Sequence, residues 1–209
     1  MQIAILLYDN FTVLDAIGPF QTLSSLPDAE VVFVAEEAGP VLDDTRSLSL
    51  VATKSLDEVS SPDIVVVPGS PEPPLTNQAL LDWLRRVDAT TTWTTSVCTG
   101  SLILAAAGLL KGRRATSHWL ALEQIKEFGV DATSRRVVFD GKYVTGAGVS
   151  AGIDMGLTLA GKIAGDEHAQ AVQLMIEYDP QPPYDAGSPD KAPAALVEKF
   201  RGEAAAAQG

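Results

Sequence analysis

A single cysteine, Cys98, stands in a chain of 209 residues, so no intramolecular disulfide can form and nothing calls for an oxidising compartment. Basic residues are scarce as well: 15 Lys and Arg face 27 Asp and Glu, a formal charge of −12. That balance argues against nucleic acid or an anionic membrane surface as partner, since both need clustered Lys and Arg. It leaves a small molecule or another protein. No apolar stretch approaches the roughly 20 residues of a membrane span. The start, MQIAILLYDN, has neither the basic n-region nor the small-residue cleavage site of a leader, so a cytoplasmic protein is expected. No His, Cys and Asp group has metal-ligand spacing, and neither a metal nor a cofactor is expected.

What is present is ordinary globular material, 46% hydrophobic and 20% charged, enough for the core of one large domain. Apolar runs alternate with segments of helical period, the signature of a mostly parallel sheet with helices on both faces. Residues 2–8 (QIAILLY), 30–37 (EVVFVAEE), 63–70 (DIVVVPGS) and 90–97 (TTTWTTSV) read as strands. Helices are expected over 11–26, interrupted at Gly18-Pro19, and over 77–89, where Leu80, Leu81, Leu84 and Val87 share a face. Further helices are expected over 101–110, apolar all round and so buried, and over 117–129, 150–165 and 167–178. Residues 41–53 suggest a short hairpin. Residues 135–148 suggest a second one around Asp140-Gly141, a pair that a type I′ turn prefers.

No repeat or linker divides the chain, so one domain over 1–209 is expected. Within it, 179–193 is too rich in proline for a helix or a central strand. This stretch and the rest of 179–209 form either a disordered end or a strap across the domain. Tyr184 and the run AALVEKF would anchor a strap, with fraying from Ala204 onward.

Cys98 falls where a β-branched strand hands over to an apolar helix, with Ser96 two residues before it and Gly100 two after. An isolated free cysteine is usually a small buried hydrophobe. This spacing instead fits a nucleophile elbow, a turn so tight that the positions two away on either side must be small. Such a turn presents its side chain at the carboxyl end of the sheet, where open α/β folds place ligands. The N-terminus of the next helix would favour thiolate over thiol. A reactive, exposed and anionic Cys98 is the expectation.

The segments SVCTGSLILAAAGLLKGRRATSHW (96–119), LDAIGPFQ (14–21), VVVPGS (65–70), TGAGVSAGIDMGL (145–157) and IEYDPQPPYDAGSP (176–189) together resemble the ThiJ/PfpI superfamily, relatives of class I glutamine amidotransferases. Within that superfamily they are most similar to the isocyanide (isonitrile) hydratases. The resemblance implies a flavodoxin-like three-layer sandwich, a homodimer, and a nucleophilic cysteine approached by an acid on the first helix. Here that acid is Asp15. Leu14, Ile17 and Phe20 would be buried around it, and desolvation beside a thiolate would raise its pKa, making it a proton donor. The plainer alternative is a helix-flanking surface aspartate. Resemblance also implies roles for Thr99, for the backbone amides of Gly69 and Ser70 as oxyanion or substrate donors, and for the amide of Val149 facing the sulfur. Ser70 departs from the Gly-Gly common at that place. The superfamily also supplies halves of AraC-type regulators, but the chain ends before a helix-turn-helix could fit and its charge is acidic.

His118 lies 20 residues beyond Cys98, whereas relatives with a histidine base often carry it directly after the cysteine, where this chain has Thr99. His118 reads as packing beside Trp119 near the pocket, and His168 as a surface residue. TGAGVSAG follows a strand and precedes a helix, yet no βαβ unit with a suitably spaced acid follows. Its glycines read as close helix packing and a tight loop. The implied activity is hydration of an isocyanide to a formamide through a thioimidate on Cys98. Alternatives are a glyoxalase-, deglycase- or amidase-like reaction, or a redox sensor built on Cys98.

Overall fold

Strands that are apolar throughout need cover on both faces, and this chain provides it by alternating them with helices. The computed structural model describes residues 1–207; Gln208 and Gly209, the last of the expected tail, lie outside them. Strand β1 (Gln2–Leu6) leads into α1 (Val13–Leu23) and then β2 (Glu30–Ala35). A hairpin of β3 (Gly39–Leu42) and β4 (Ser49–Ala52) precedes the short β5 (Lys54–Ser55). Next come β6 (Ile64–Val67), α2 (Gln78–Asp88), β7 (Trp93–Val97) and α3 (Gly100–Ala106). Short β8 (Arg114–Ala115), α4 (Leu122–Lys126) and β9 (Asp131–Ala132) lead to the hairpin of β10 (Val137–Asp140) and β11 (Tyr143–Gly146). Then follow α5 (Ala151–Ala164), α6 (Asp166–Met175) and α7 (Ala194–Ala207).

The main sheet runs β10-β11-β7-β6-β1-β2-β5, parallel except where β10 meets β11. Helices α1, α5 and α6 pack as one group, and α2, α3 and α4 as another. The expected three-layer, flavodoxin-like arrangement is present. Ile3 to Leu7 and Ile64 to Val67 are each at most 1% exposed, so the two central strands are covered on both sides. From β1 the chain builds outward through β2 on one side and through β6 and β7 on the other. The crevice at the carboxyl ends of β1 and β6 is therefore a topological switch point, where such sheets bind ligands. Asp15 follows β1, Gly69 follows β6 and Cys98 follows β7. Among the described residues, no helix is long and apolar enough to cross a membrane.

Several elements differ from the expectations. Helix α1 continues through Gly18-Pro19; Pro19 forfeits only the hydrogen bond it would have donated four residues back. Its buried face consists of Asp15, Ala16, Gly18, Pro19, Thr22 and Leu23, while Leu14 is 40% exposed and Ile17 and Phe20 are only partly covered. The reason is close packing on α5: small residues let the backbones approach, with Gly18 against Ile153 and Pro19 against Gly152. Helix α3 stops at Ala106 because Gly108 takes a left-handed conformation at φ +83°. The expected helix over 117–129 is a single 3-10 turn over Trp119–Ala121 followed by α4. In the β10–β11 hairpin, Asp140 pairs with Tyr143, so the loop residues are Gly141 and Lys142. Of these only Gly141 has positive φ, at +61°, which is the II′ pattern and not the I′ one. In the tail, Tyr184 is 80% exposed and anchors nothing, whereas Val197 of α7 is buried. Helix α7 extends to Ala207, past the expected fraying point.

The α1–α5 contact depends on Gly156, where an added Cβ would collide with the Oγ1 of buried Thr22 and come within 3.0 Å of its Cβ. Gly156→Ala is expected to destabilise the fold by about 1–3 kcal/mol, as overpacking does. Thr22→Ala in the same chain should recover part of that loss. Urea denaturation of both variants checks it, and equal, additive losses would contradict the packing argument.

Candidate functional site

The turn at Cys98 is strained in the way an elbow requires. Cys98 sits at φ +59°, a conformation that L-residues other than Asn and Asp rarely adopt. Its amide donates to the carbonyls of Gly146 (3.1 Å) and Ala147 (2.8 Å), and the hydroxyls of Ser101 and Ser117 donate to its carbonyl, each at 3.1 Å. Four hydrogen bonds thus hold a conformation that would otherwise relax. Gly100 is small of necessity, because a Cβ there would run into the carbonyls of Val67 and Pro68. Ser96 is fully buried beneath the turn.

Gly69 joins the three strand ends. Its carbonyl accepts from the Thr12 amide at 2.8 Å, and its own amide donates to Asp15 Oδ2 at 2.9 Å. A side chain at this glycine would lie 2.6 Å from Thr99 N and 2.9 Å from Asp15 Oδ2, so the convergence exists only because there is none. Ser70 is buried, and its amide donates to Thr99 Oγ1 (2.8 Å) while its carbonyl accepts from that same hydroxyl (2.6 Å). It does so at negative φ, so serine fits where Gly-Gly is common. The Gly69 and Ser70 amides are therefore engaged by Asp15 and Thr99. They are not the free oxyanion donors that the resemblance implied, because the carboxyl and the hydroxyl approach them first.

Asp15 is wholly buried, with Oδ1 lacking any hydrogen-bond partner. Burial is the main force on it and pushes its pKa from 3.8 up to about 7, against the Gly69 amide and the Cys98 thiol, which favour the anion. Cys98 is itself only 5% exposed, and burial, followed by the charge of Asp15, pushes it up to about 12. The Thr99 and Val149 amides point at the sulfur and pull the other way without prevailing. The expectation of an exposed thiolate is thus corrected. Desolvation outweighs the N-terminus of α3, a helix of only seven residues. Carboxyl and thiol then titrate as one coupled unit. Each group is held toward its neutral form, and ionising one raises the cost of ionising the other.

Beside the elbow lies a cavity of about 580 Å³. Its walls include Ser117 and Val149, which touch Cys98, together with His118, Gly148, Leu14, Trp119 and Leu122, while Cys98 and Asp15 themselves lie behind them. Gly187 to Asp190 and Arg201 of α7 complete it, with the Arg201 guanidinium 6.0 Å from the Trp119 ring centre. Arg136 enters the wall already held by Asp154 and Ser150. His118 is lowered in pKa by burial and its Nδ1 accepts from the Leu120 amide, so the ring is neutral. No hydrogen bond joins it to Cys98. Among the described residues no group of three or more His, Cys, Asp and Glu is placed to hold a metal ion.

Three participants escaped sequence reasoning. Tyr8 continues from β1 toward the pair and donates its hydroxyl to the Pro68 carbonyl at 2.7 Å. Ser101 and Ser117 pin the elbow. A polar tip ending an otherwise apolar central strand at a switch point was the available signal for Tyr8. The two serines carry no such signal.

With this geometry in hand, known proteins can be compared. The sequence profile of the DJ-1/PfpI family matches residues 1–162. An isonitrile hydratase of Pseudomonas putida is 44% identical over 207 residues, covering 98% of this chain and 90% of that protein. A deglycase, PfpI, of Pyrococcus furiosus is 28% identical over 149 residues, 69% of this chain and 89% of the other. The crystal structure of a ThiJ/PfpI family protein from Pseudomonas syringae superposes with a TM-score of 0.94 at 39% identity, over 98% of this chain and 86% of that one.

Because the folded Asp15 binds its proton more tightly than an unfolded aspartate, its contribution to stability is complete below pH 3.8 and drains away as pH rises through about 7. Asp15→Asn does not titrate. It should therefore gain on wild type by roughly 2–3 kcal/mol between pH 5 and pH 8, or about 5–10 °C in melting temperature. Thermal melts at the two pH values test this; a gap that does not change would refute a buried, proton-holding carboxyl.

Proposed function

Because this chain belongs to the DJ-1/PfpI family, we propose that it hydrates an isocyanide, R–NC, to an N-substituted formamide, with Cys98 as nucleophile and Asp15 as proton carrier. The observation that carries the chemistry is a buried carboxyl with one unpartnered oxygen beside the elbow thiol, with no histidine hydrogen-bonded to either. Near-full-length similarity to an isonitrile hydratase supports the choice of substrate class.

Isocyanides suit such a site. Their terminal carbon takes a nucleophile and a proton at the same atom, and no basic leaving group has to be expelled. As sulfur bonds to that carbon, the thiol proton passes to Asp15 and then to the carbon, giving the thioimidate R–N=CH–S–Cys98. The Thr99 and Val149 amides meet the charge that grows on sulfur during the transfer. Water then adds to the same carbon, its proton going through Asp15 to nitrogen, to give R–NH–CH(OH)–S–Cys98. Breaking the C–S bond releases R–NH–CHO, and the hydroxyl proton returns to sulfur. The isocyano group is linear and slender, so it can reach a sulfur set just behind the cavity wall. A wider carbonyl substrate is served less well there. A homodimer is proposed on the resemblance; two chains per particle by light scattering would support it.

Loss of isocyanide followed by infrared absorption tests the reading. Cys98→Ala should abolish turnover, and Asp15→Asn should lower it by about 10²–10⁴, the usual worth of a general acid–base. Lactate from methylglyoxal with no isocyanide loss would favour a glyoxalase- or deglycase-like activity instead. The singly protonated pair is the reactive form, so kcat/KM should climb as pH rises through about 7 and fall off below it. A profile flat from pH 5 to 9 would sink the shared-proton mechanism.

A further inference from the structure

Pro68 and Gly69 share one peptide unit, and both of its polar ends are engaged inside the protein. The carbonyl of Pro68 accepts from the Tyr8 hydroxyl at 2.7 Å, and the N–H of Gly69 donates to Asp15 Oδ2 at 2.9 Å. Tyr8 and Asp15 are both buried, so water competes at neither end. We propose that Tyr8 is a positioning residue for Asp15, acting through the Pro68–Gly69 peptide to fix and polarise the N–H that holds the carboxylate.

Hydrogen bonds at the two ends of one amide reinforce each other. A donor on an amide oxygen draws electron density from the amide nitrogen and makes its N–H a better donor. The same contact resists rotation of the peptide plane, which is the motion that would carry the N–H away from Asp15. Steric support is scarce here, since residue 69 has no side chain and a Cβ would collide with Thr99. A tyrosine kept only for its ring would leave the hydroxyl to be satisfied anywhere; this one is spent on the single carbonyl that connects to the acid.

The groups facing Asp15 are known. Tyr8 comes from the end of β1, Cys98 from the elbow, and Asp44 from the loop after β3, where its Oδ2 accepts from Thr12. Helix α5 meets α1 through Gly152 and Ile153. Removing the Tyr8 hydroxyl leaves all of these charges in place and weakens one donor to the carboxylate, so the proton on Asp15 should be held to higher pH.

This inference rests on the reading of Asp15 as the titrating partner of Cys98, and its test avoids the isocyanide. The rate of Cys98 alkylation by iodoacetamide is measured against pH in wild type, Tyr8→Phe and Asp15→Asn. Wild type should show a limb near 7, and in Tyr8→Phe that limb should move up by roughly half to one pH unit. Asp15→Asn should lose it. A folded Tyr8→Phe with the wild-type limb overturns the proposal, as does an Asp15→Asn that retains the limb. A purely structural role would lower the melting temperature without moving the limb. Should Tyr8→Phe fail to fold, 3-fluorotyrosine placed at position 8 keeps the ring and strengthens the donor, so the limb should move down; an unmoved limb again overturns the proposal. If these results hold while isocyanide is not consumed, the proposed reaction fails and the role of Tyr8 stands.

Discussion

Two buried acids set side by side, each disfavoured in its charged form, are the constraint on which the rest of this structure depends. Asp15 and Cys98 each pay for leaving water with a raised pKa, and neither loses its proton cheaply while the other is charged. The fold has to bring them together from the ends of separate strands and keep them from relaxing apart. It does so with Gly69, whose two backbone bonds tie the start of α1 to the end of β6, and with the four hydrogen bonds that hold Cys98 in the left-handed region. Two positions therefore have no freedom of side chain: Gly69, filled by its neighbours, and Gly100, pressed on the Val67 and Pro68 carbonyls.

In the mechanism proposed above, the same constraint removes the need for a histidine base. A histidine would serve to draw the proton from a thiol that lies in or near water. The thiol here is desolvated, and the proposal gives Asp15 the part of proton acceptor. His118 is accordingly a neutral wall of the cavity, packed against Gly148 and capping the turn that begins α4. Thr99 spends its hydroxyl on both backbone ends of Ser70 and gives its amide to the sulfur, so it braces the β6 and β7 loops together.

Much of this was legible in the sequence, and what was not follows from physics that is not local. The strands could be read because β1 beyond Gln2 and all of β6 are apolar, and the elbow because Ser96 and Gly100 flank Cys98 at the spacing that a tight turn demands. The burial of the thiol is not legible. Helix position is visible in a sequence, whereas the burial that overrides it involves the loop at 147–149, which follows the neighbouring strand β11 and is distant only along the chain. The amides of Gly69 and Ser70 looked free for the same reason: their partners are 54 and 29 residues away. The inner face of α1 differs from the expected one at Leu14 because a large side chain predicts burial only when the neighbouring helix leaves room. Here α5 brings glycines and comes too close.

The last part of the cavity wall, Gly187 to Asp190 with Arg201, comes after every strand of the sheet and every group that touches the shared proton. On the proposed function, reactivity and selectivity therefore occupy separate lengths of chain. Changes in the final segment can reshape what is admitted without disturbing the sheet, the elbow or the acid beneath it.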